Sequence, residues 1–179
     1  MKVTRTTIEG LLIIEPKVFT DQRGYFSETY RRKEFTEKVS DTHFVQDNES
    51  YSTRGVLRGL HFQKEPFAQA KLVRTVMGEV LDVAVDLRKG SPTFGKHSAI
   101  RLSGNNKRQL FIPRGFAHGF IVLSDDAILQ YKCDNYYAPD HEGALLWNDP
   151  ELEIDWILPE EEIILSEKDK LNPLLKDIL

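Results

Sequence analysis

The middle of the chain alternates apolar and polar residues with a period of two, which is the pattern of β-strands. In the segment VLDVAVDL, Val80–Leu87, four large apolar residues share one face, and the other face carries Val80, Ala84 and two aspartates. This alternation predicts a half-buried strand. Further strands are predicted at Lys71–Met77, which Gly78 ends, at Phe116–Leu123 and at Ala127–Tyr131.

Turn-forming residues separate the predicted strands at short intervals. The sequence SDD at residues 124–126 stands between the last two strands and predicts a hairpin turn. Short strands at this spacing are typical of a β-barrel or β-sandwich and not of alternating strand–helix units. Because no repeat, low-complexity tract or Gly/Ser-rich linker interrupts the pattern, we expect residues 1–179 to form one domain.

Only two stretches favour helix. Arg32–Lys38 is long enough for two turns. Ser166–Asp177 is predicted to form a C-terminal helix broken near Pro173, since Ser166 and Asp169 have the spacing of a capping box. The predicted fold class is therefore mainly β, with a short C-terminal helical segment.

Charge and hydropathy exclude several classes of protein. The 179 residues include 24 Lys+Arg and 28 Asp+Glu, a net charge of −4, with no basic block, which argues against a dedicated nucleic-acid binder. The acidic run Glu160–Glu162 is expected to be solvated surface. The longest apolar runs, such as Leu11–Ile14 and Phe120–Leu123, are far shorter than the roughly 18 residues that a membrane span needs.

The cellular compartment follows from two further observations. No basic segment followed by an apolar stretch opens the chain, so we expect no signal peptide. Cys133 is the single cysteine, which excludes a disulfide framework and a cysteine-based zinc site. We therefore expect a cytoplasmic protein without a membrane partner.

Two segments, GVLRGLHFQ at Gly55–Gln63 and IPRGFAHG at Ile112–Gly119, resemble the two halves of the cupin signature. Cupins are small double-stranded β-helix (jelly-roll) barrels that gather histidines inside. A metal-binding cupin carries His-x-His and a glutamate in the first half, whereas here Gln63 takes the second histidine position. His61 and His118 alone are too few for a first-row metal, which normally needs three or four ligands, so we expect no metal.

The surroundings of His61 suggest chemistry. A lone histidine is more often a packed core residue than a functional one, but Arg58 lies three residues before it and Lys71 opens the next predicted strand. Lys71 falls on the same face as Val73 and Thr75, and a lysine that points into a barrel is costly unless it pairs or binds something. A histidine, a lysine and a tyrosine around one cavity would suit removal of a proton next to a carbonyl. Spacing alone does not establish that such groups converge.

Eight segments in order along the chain resemble a known enzyme family, the dTDP-4-dehydrorhamnose 3,5-epimerases, which are metal-free and cupin-like. The resemblance extends from about Ile13 to Asp169. Each segment alone is a weak signal, but eight in sequence are specific. They are DQRGYFSETY (21–30), VQDNESYS (45–52), GVLRGLHFQ (55–63), AKLVR (70–74), GEVLDVAVDLRKGSPTFG (78–95), NNKRQLFIPRGFAHGF (105–120), YKCDNYY (131–137) and LSEKD (165–169).

The resemblance implies the catalytic residues. His61 would be the base, and Asp169 would orient and polarise it, because a carboxylate on one ring nitrogen fixes the tautomer and raises the basicity of the other. Tyr131 would be the general acid on the opposite face of the sugar. Lys71 would stabilise the enolate oxygen at C4, and Tyr137 matches a position that lies near the sugar.

The resemblance also implies a nucleotide-sugar site and an assembly. Arginine and lysine suit a diphosphate because they donate charge-assisted hydrogen bonds. Family members are homodimers in which the segment around Arg23 reaches the partner's active site, so Arg23 would act in trans. The residues implied to bind substrate are Arg23, Glu28, Gln46, Asn48, Arg58, His118, Glu142 and Lys168.

The implied reaction is epimerisation of dTDP-4-dehydro-6-deoxy-D-glucose at C3 and C5, giving dTDP-4-dehydro-L-rhamnose. It needs no redox cofactor, which agrees with the absence of a GxGxxG fingerprint in the sequence. A 3- or 5-monoepimerase and a 3,4-ketoisomerase are alternatives; the segments SEKD and YKCDNYY favour the double epimerase over the ketoisomerase but do not exclude a monoepimerase. A metal-dependent cupin dioxygenase and a non-catalytic nucleotide-sugar binding module are alternatives from other classes.

Overall fold

The computed structural model describes residues 1–178, and its framework is two antiparallel β-sheets with one shared core. Strands rich in β-branched and aromatic residues form both sheets, as their alternation predicts. The six strands of the first sheet are, in spatial order, β1 (Lys2–Arg5), β2 (Leu12–Glu15), β10 (Gln109–Ile112), β7 (Lys71–Met77), β12 (Asp126–Cys133) and β5 (Gln46–Thr53).

The second sheet has five strands, and a separate two-stranded hairpin stands apart from both sheets. The five strands are, in spatial order, β13 (Glu142–Ala144), β6 (Leu57–Gln63), β11 (Phe116–Val122), β8 (Glu79–Asp86) and β9 (His97–Ser103). The hairpin consists of β3 (Val18–Asp21) and β4 (Gly24–Ser27).

Three apolar clusters hold the layers together. The central cluster lies between the two sheets and includes Val73 of β7 and Ala84 of β8. The outer face of the first sheet packs on Phe35, and the outer face of the second packs on a C-terminal segment that contains Trp147 and Trp156. The predicted mainly β, cupin-like fold is therefore confirmed.

Helix is as scarce as the sequence predicts. The helix α1 spans Arg32–Lys38 and buries Phe35, which confirms that prediction. No helix in residues 1–178 is long and apolar enough to cross a membrane. The remaining helical elements are single 3₁₀ turns at Pro139–His141, Glu160–Glu162, Asp169–Leu171 and Leu175–Asp177. The Glu160–Glu162 turn is exposed, as expected.

The predicted C-terminal helix over Ser166–Asp177, broken near Pro173, is right about the break and wrong about the type of helix: the chain forms two separate 3₁₀ turns, Asp169–Leu171 and Leu175–Asp177, one on each side of the proline. Pro173 has no N–H to donate, and a residue that precedes proline is driven to an extended conformation. Asn172 is accordingly extended, with φ −63° and ψ 149°.

The prediction that the strand over Val80–Leu87 is half-buried is also wrong. Strand β8 lies inside its sheet, and both of its faces are covered: one by the central cluster and the other by the C-terminal segment. Asp82 and Asp86 therefore have no exposed surface. Buried carboxylates require hydrogen-bonding partners, and the partner of Asp82 belongs to the site described below.

The turn at residues 124–126 does not form a hairpin. Strand β11 before it pairs with β6 and β8, whereas β12 after it pairs with β5 and β7, so the turn carries the chain from one sheet to the other. Ser124 fixes this crossover: its Oγ accepts the Glu79 N–H at 2.8 Å and donates to the Asp126 carbonyl at 2.6 Å.

Candidate active site

A cavity of about 500 Å³ opens between the two sheets. Strands of both sheets and a C-terminal segment supply its walls. The polar residues that line it are Ser50, Arg58, His61, Lys71, His118, Tyr131, Ser166, Lys168 and Asp169.

His61 and Asp169 form a close pair at this cavity. Nε2 of His61 and Oδ1 of Asp169 are 2.6 Å apart, which is a strong hydrogen bond. The Asp169 side chain is 6% exposed, whereas that of His61 is 33% exposed and reachable from the cavity. Because Nε2 is taken by the carboxylate, Nδ1 is the ring nitrogen left to accept a proton from a bound molecule.

A C-terminal strap, residues 162–169, carries Asp169 to His61. The backbone N–H of Asp169 donates to Ser166 Oγ at 3.1 Å, which is the first half of the predicted capping box. The second half is absent, because the Asp169 carboxylate bonds His61 instead. The spacing of Ser166 and Asp169 therefore predicts the turn correctly, but the Asp169 carboxylate bonds His61 and does not cap the turn.

Lys71 and Tyr131 stand side by side on neighbouring strands of the first sheet. Tyr131 is paired with Val73, two residues along β7 from Lys71, and the Lys71 Nζ lies 5.8 Å from the centre of the Tyr131 ring. Burial lowers the pKa of Lys71 and raises the pKa of the Tyr131 phenol. A phenol with a raised pKa stays protonated at neutral pH, as a proton donor must.

A second histidine–aspartate pair lies deeper in the cavity wall. His118 Nε2 is 3.0 Å from both carboxylate oxygens of Asp82, and the His118 side chain is 7% exposed. His118 was predicted as a binding residue, but Asp82 was missed, because it was assigned to the more polar face of a strand predicted to be half-buried. The signal that could have revealed Asp82 is a carboxylate inside an otherwise apolar strand, because such a group is rarely buried without a partner.

Two glycines allow the strands that carry these histidines to approach each other. A Cβ on Gly59 would lie 2.5 Å from the Cα of Gly119, and Gly59 has φ +141°. Only glycine fits such an approach at such a backbone angle. The pairing of β6 with β11 shifts register between His118 and Phe120, next to this contact.

A second cavity of about 330 Å³ shares His61, Lys71 and Tyr131 with the first. Gln46 and Asn48 of β5 line it, and the Gln46 Nε2 donates to the Asn48 Oδ1 at 3.0 Å. Tyr137 lies at its edge and is 57% exposed.

Two of the cationic residues predicted to bind substrate, Arg58 and Lys168, reach the site with partners of their own. Arg58 Nε donates to Ser52 Oγ at 3.1 Å. Lys168 forms an ion pair with Glu142, which joins the strap to strand β13 and raises the pKa of Lys168. The structure thus brings together six of the eight predicted binding residues: Gln46, Asn48, Arg58, His118, Glu142 and Lys168.

Arg23 and Glu28 are not brought to either cavity within one chain. Arg23 lies at the turn of the β3–β4 hairpin and pairs with Asp21, with its side chain 84% exposed. Glu28 pairs with Arg31 at 2.7 Å. Arg23 belongs to the hairpin and Glu28 directly follows it, and the hairpin is separate from the two main sheets that form the cavities.

The side chain of Gln63, at the position of a cupin metal ligand, is bonded to two loops. Its Nε2 donates to the carbonyls of Phe67 (2.6 Å) and Tyr136 (3.1 Å), and its Oε1 accepts the Ala138 N–H at 2.7 Å. The Gln63 amide therefore holds the loops around Phe67 and Tyr136–Ala138 to strand β6. Across residues 1–178, no group of three or more His, Cys, Asp or Glu side chains is placed to hold a metal ion.

A cupin-like pair of facing β-sheets that gathers a histidine–aspartate pair, a lysine and a tyrosine around one cavity suits the class of enzyme that moves protons at carbon next to a carbonyl. The family model described as dTDP-4-dehydrorhamnose 3,5-epimerase matches residues 5–177. The chain belongs to the dTDP-4-dehydrorhamnose 3,5-epimerase family and is therefore an isomerase.

Individual relatives agree with this assignment over nearly the full length. The dTDP-4-dehydrorhamnose 3,5-epimerase of Shigella flexneri is 56% identical over 170 residues, covering 94% of this chain and 93% of that protein. The crystal structure of the Elizabethkingia anophelis enzyme of the same name has a TM-score of 0.95 at 55% identity, covering 99% and 97% of the two chains. The Legionella pneumophila dTDP-6-deoxy-D-glucose-3,5-epimerase, solved with dTDP-4-keto-L-rhamnose, has a TM-score of 0.96 at 50% identity, covering 99% and 94%.

Proposed function

We propose that the chain converts dTDP-4-dehydro-6-deoxy-D-glucose into dTDP-4-dehydro-L-rhamnose by inverting C3 and C5. The observation that carries this proposal is the 2.6 Å pair of His61 with the buried Asp169 at a cavity that also contains Lys71 and Tyr131. The dTDP-4-keto-L-rhamnose held by the Legionella relative has the chemistry of the proposed product.

The base step uses the geometry of the His61–Asp169 pair. Both C3 and C5 flank the C4 ketone, so loss of either proton leaves an enolate whose charge rests on the C4 oxygen. With Nε2–H donated to Asp169, the His61 Nδ1 lone pair takes the proton, and Asp169 stabilises the imidazolium that forms.

Lys71 and Tyr131 complete the inversion. The Lys71 ammonium donates to the C4 oxygen and stabilises the enolate. Tyr131 then donates its phenol proton to the carbon from the face opposite His61, so that one proton leaves and one arrives. The burial that keeps Tyr131 protonated supports its part in this step. Tyr131 and His61 afterwards exchange protons with water and return to their starting states.

The nucleotide end of the substrate needs cations for its diphosphate. Arg58 and Lys168 line the larger cavity and supply them, and Gln46 and Asn48 supply amide groups in the adjoining cavity. His118 lies opposite His61 on the neighbouring strand, and its bond to Asp82 holds the ring in a fixed orientation at the cavity wall, where it contacts the substrate.

The functional unit is a cytoplasmic homodimer in which residues 1–179 act as one catalytic domain and Arg23 and Glu28 serve the partner's site. Support comes from the β3–β4 hairpin, which exposes apolar side chains that a monomer would be expected to bury. Phe19 is 51% exposed, Tyr25 59% and Phe26 68%. An exposed apolar patch of this kind is typical of a protein–protein contact, and a second copy would bring Arg23 with it.

Proton NMR of the 4-keto sugar nucleotide in deuterated buffer tests the proposal. Deuterium is expected at both C3 and C5, with an L-rhamnose nucleotide formed once a 4-keto reductase and NADPH are added. Exchange at one carbon only would replace the double epimerase with a monoepimerase. If dTDP binds and neither carbon exchanges, the chain is a binding module and the proposed reaction is wrong.

A further inference from the structure

The position of Asp169 depends on how the C-terminal strap is held against the second sheet. The strap meets the entry to strand β6 through one parallel bridge, in which the Ile164 N–H donates to the Gly55 carbonyl and the Leu57 N–H donates to the Ile164 carbonyl, both at 2.9 Å. Four residues after Leu57, the same strand carries His61. The base and its carboxylate therefore share one anchoring point.

Gly55 lies so close to the strap at this anchor that there is no room for a side chain. Its φ is +81°, and a Cβ placed on it would lie 2.1 Å from the carbonyl oxygen of Glu162. Atoms that are not bonded to each other do not approach so closely. The obstacle is a backbone group and not a flexible side-chain end, so a side chain at position 55 requires the backbone to move.

The strap is the part that must move. On its other side, Gly55 donates its N–H to the Val122 carbonyl at 3.0 Å, and the Val56 carbonyl accepts the Val122 N–H at 3.1 Å. These bonds fix residues 55 and 56 to strand β11, in the interior of the second sheet. The strap has no flanking strand beyond it in the sheet, so it has the freedom to retreat.

We propose that Gly55 is a positioning residue for the epimerase reaction: the absence of a side chain there seats the strap so that Asp169 reaches His61. The inference rests on the proposed function, because it assigns Gly55 an effect on the base of that reaction. Relieving the overlap moves the Glu162 carbonyl by about 1 Å, and a misplacement of that size is enough to cost on the order of 100-fold in rate.

The test compares Gly55→Ala with Gly90→Ala. Gly90 has nearly the same backbone angle, φ +80°, but a Cβ there meets nothing within 4 Å, so it carries the same backbone strain without the collision. We expect Gly55→Ala to lower kcat by about 10- to 100-fold and Gly90→Ala to leave it within about 2-fold, as its open surroundings require.

Two readouts separate positioning from a general loss of structure. If Gly55 acts through Asp169, the double variant with Asp169→Asn is no slower than Asp169→Asn alone, since the pair is already broken. The pH titration of His61 followed by ¹⁵N NMR should shift in Gly55→Ala toward the titration seen in Asp169→Asn, and should be unchanged in Gly90→Ala.

A second variant covers the case in which Gly55→Ala does not fold. Ile164→Pro removes the N–H that donates to Gly55, and Ile163 before it is already extended (φ −81°, ψ 126°), as a residue preceding proline must be. It should reproduce both the loss of kcat and the non-additivity with Asp169→Asn. If the wild type epimerises but the rate losses of Gly55→Ala and Ile164→Pro each multiply with the loss of Asp169→Asn in the double variants, the positioning role is wrong. A wild type without C3 and C5 exchange would instead remove the proposed function itself.

Discussion

His61 and His118 lie directly opposite each other on the neighbouring antiparallel strands β6 and β11, and each bonds a carboxylate through Nε2. The two pairs differ in their surroundings. Asp82 stands on a central strand and the His118 side chain is 7% exposed, whereas the His61 side chain is 33% exposed and its partner Asp169 arrives on a strap. The accessible pair suits proton transfer, and the buried pair suits a fixed hydrogen bond.

Replacing His61, the proposed base, should abolish turnover and leave nucleotide binding nearly intact. His61→Asn keeps a polar side chain of similar size but removes the nitrogen that accepts the proton, so kcat should fall by about 10³-fold or more. The dissociation constant for dTDP, measured by calorimetry, should stay within about 3-fold, because the residues proposed to bind the diphosphate, Arg58 and Lys168, are unchanged.

The exposed His43 offers a matched control, and His43→Asn should epimerise at the wild-type rate. A wild-type rate in His61→Asn would show that the proton is taken by another group.

Removing the phenol of Tyr131 should separate the two halves of the reaction. In Tyr131→Phe, His61 still removes a proton, so deuterium exchange at C3 or C5 should survive better than net inversion, which we expect to fall by about 10²-fold or more. Both quantities come from one NMR time course in deuterated buffer. The control is Tyr136→Phe, because Tyr136 is 65% exposed. Equal losses of exchange and inversion would contradict the assignment of Tyr131 as the acid.

Features that depend on local sequence could be predicted. Helix α1 was predicted over Arg32–Lys38 with the bounds that the structure has. Strand β7 was predicted over Lys71–Met77 with equal accuracy, because a period of two and a following glycine are local signals. The inward direction of Lys71 follows from the same alternation.

Features that depend on which elements meet could not be predicted from spacing. The His61–Asp169 pair joins residues 108 positions apart, and only the resemblance to a family proposed it. Asp82 was assigned to a polar face because alternation does not reveal that both faces of a strand are covered. The turn at residues 124–126 has ordinary hairpin composition, and composition does not say that its two strands join different sheets.

Asp86 should make the stability of the fold depend on acid pH. Burial alone would raise the pKa of Asp86, but hydrogen bonds from Arg88, Ser91 and Thr93 outweigh burial and hold that pKa well below its ordinary range. A carboxylate whose pKa is lowered on folding stabilises the protein above its unfolded pKa, about 4, and this contribution fades as the pH falls below that value.

The variant Asp86→Asn removes this charge and leaves Arg88 without its partner. It should lower the free energy of unfolding at pH 7 by about 3 kcal/mol, measured by urea denaturation, and its loss of stability between pH 5 and 3 should be shallower than that of the wild type, as linkage requires. Asp41→Asn at an exposed position should change neither quantity. An unchanged unfolding free energy in Asp86→Asn would mean that the network contributes nothing at pH 7.

Mixed dimers should reveal whether Arg23 acts on its own chain or on the partner. Arg23→Ala and His61→Asn are each expected to be nearly inactive as pure homodimers. If Arg23 crosses over, a mixed dimer contains one site with an intact His61 and an Arg23 from the other chain. Random association of equal amounts of the two variants makes half of the dimers mixed. Each mixed dimer has one working site of two, so about one quarter of the wild-type activity should return. If Arg23 acts on its own chain, every site in a mixed dimer lacks either Arg23 or His61, and mixing restores no activity. The measurement is the epimerase rate after the two variants are unfolded and refolded together, beside a control in which they are refolded separately and then combined.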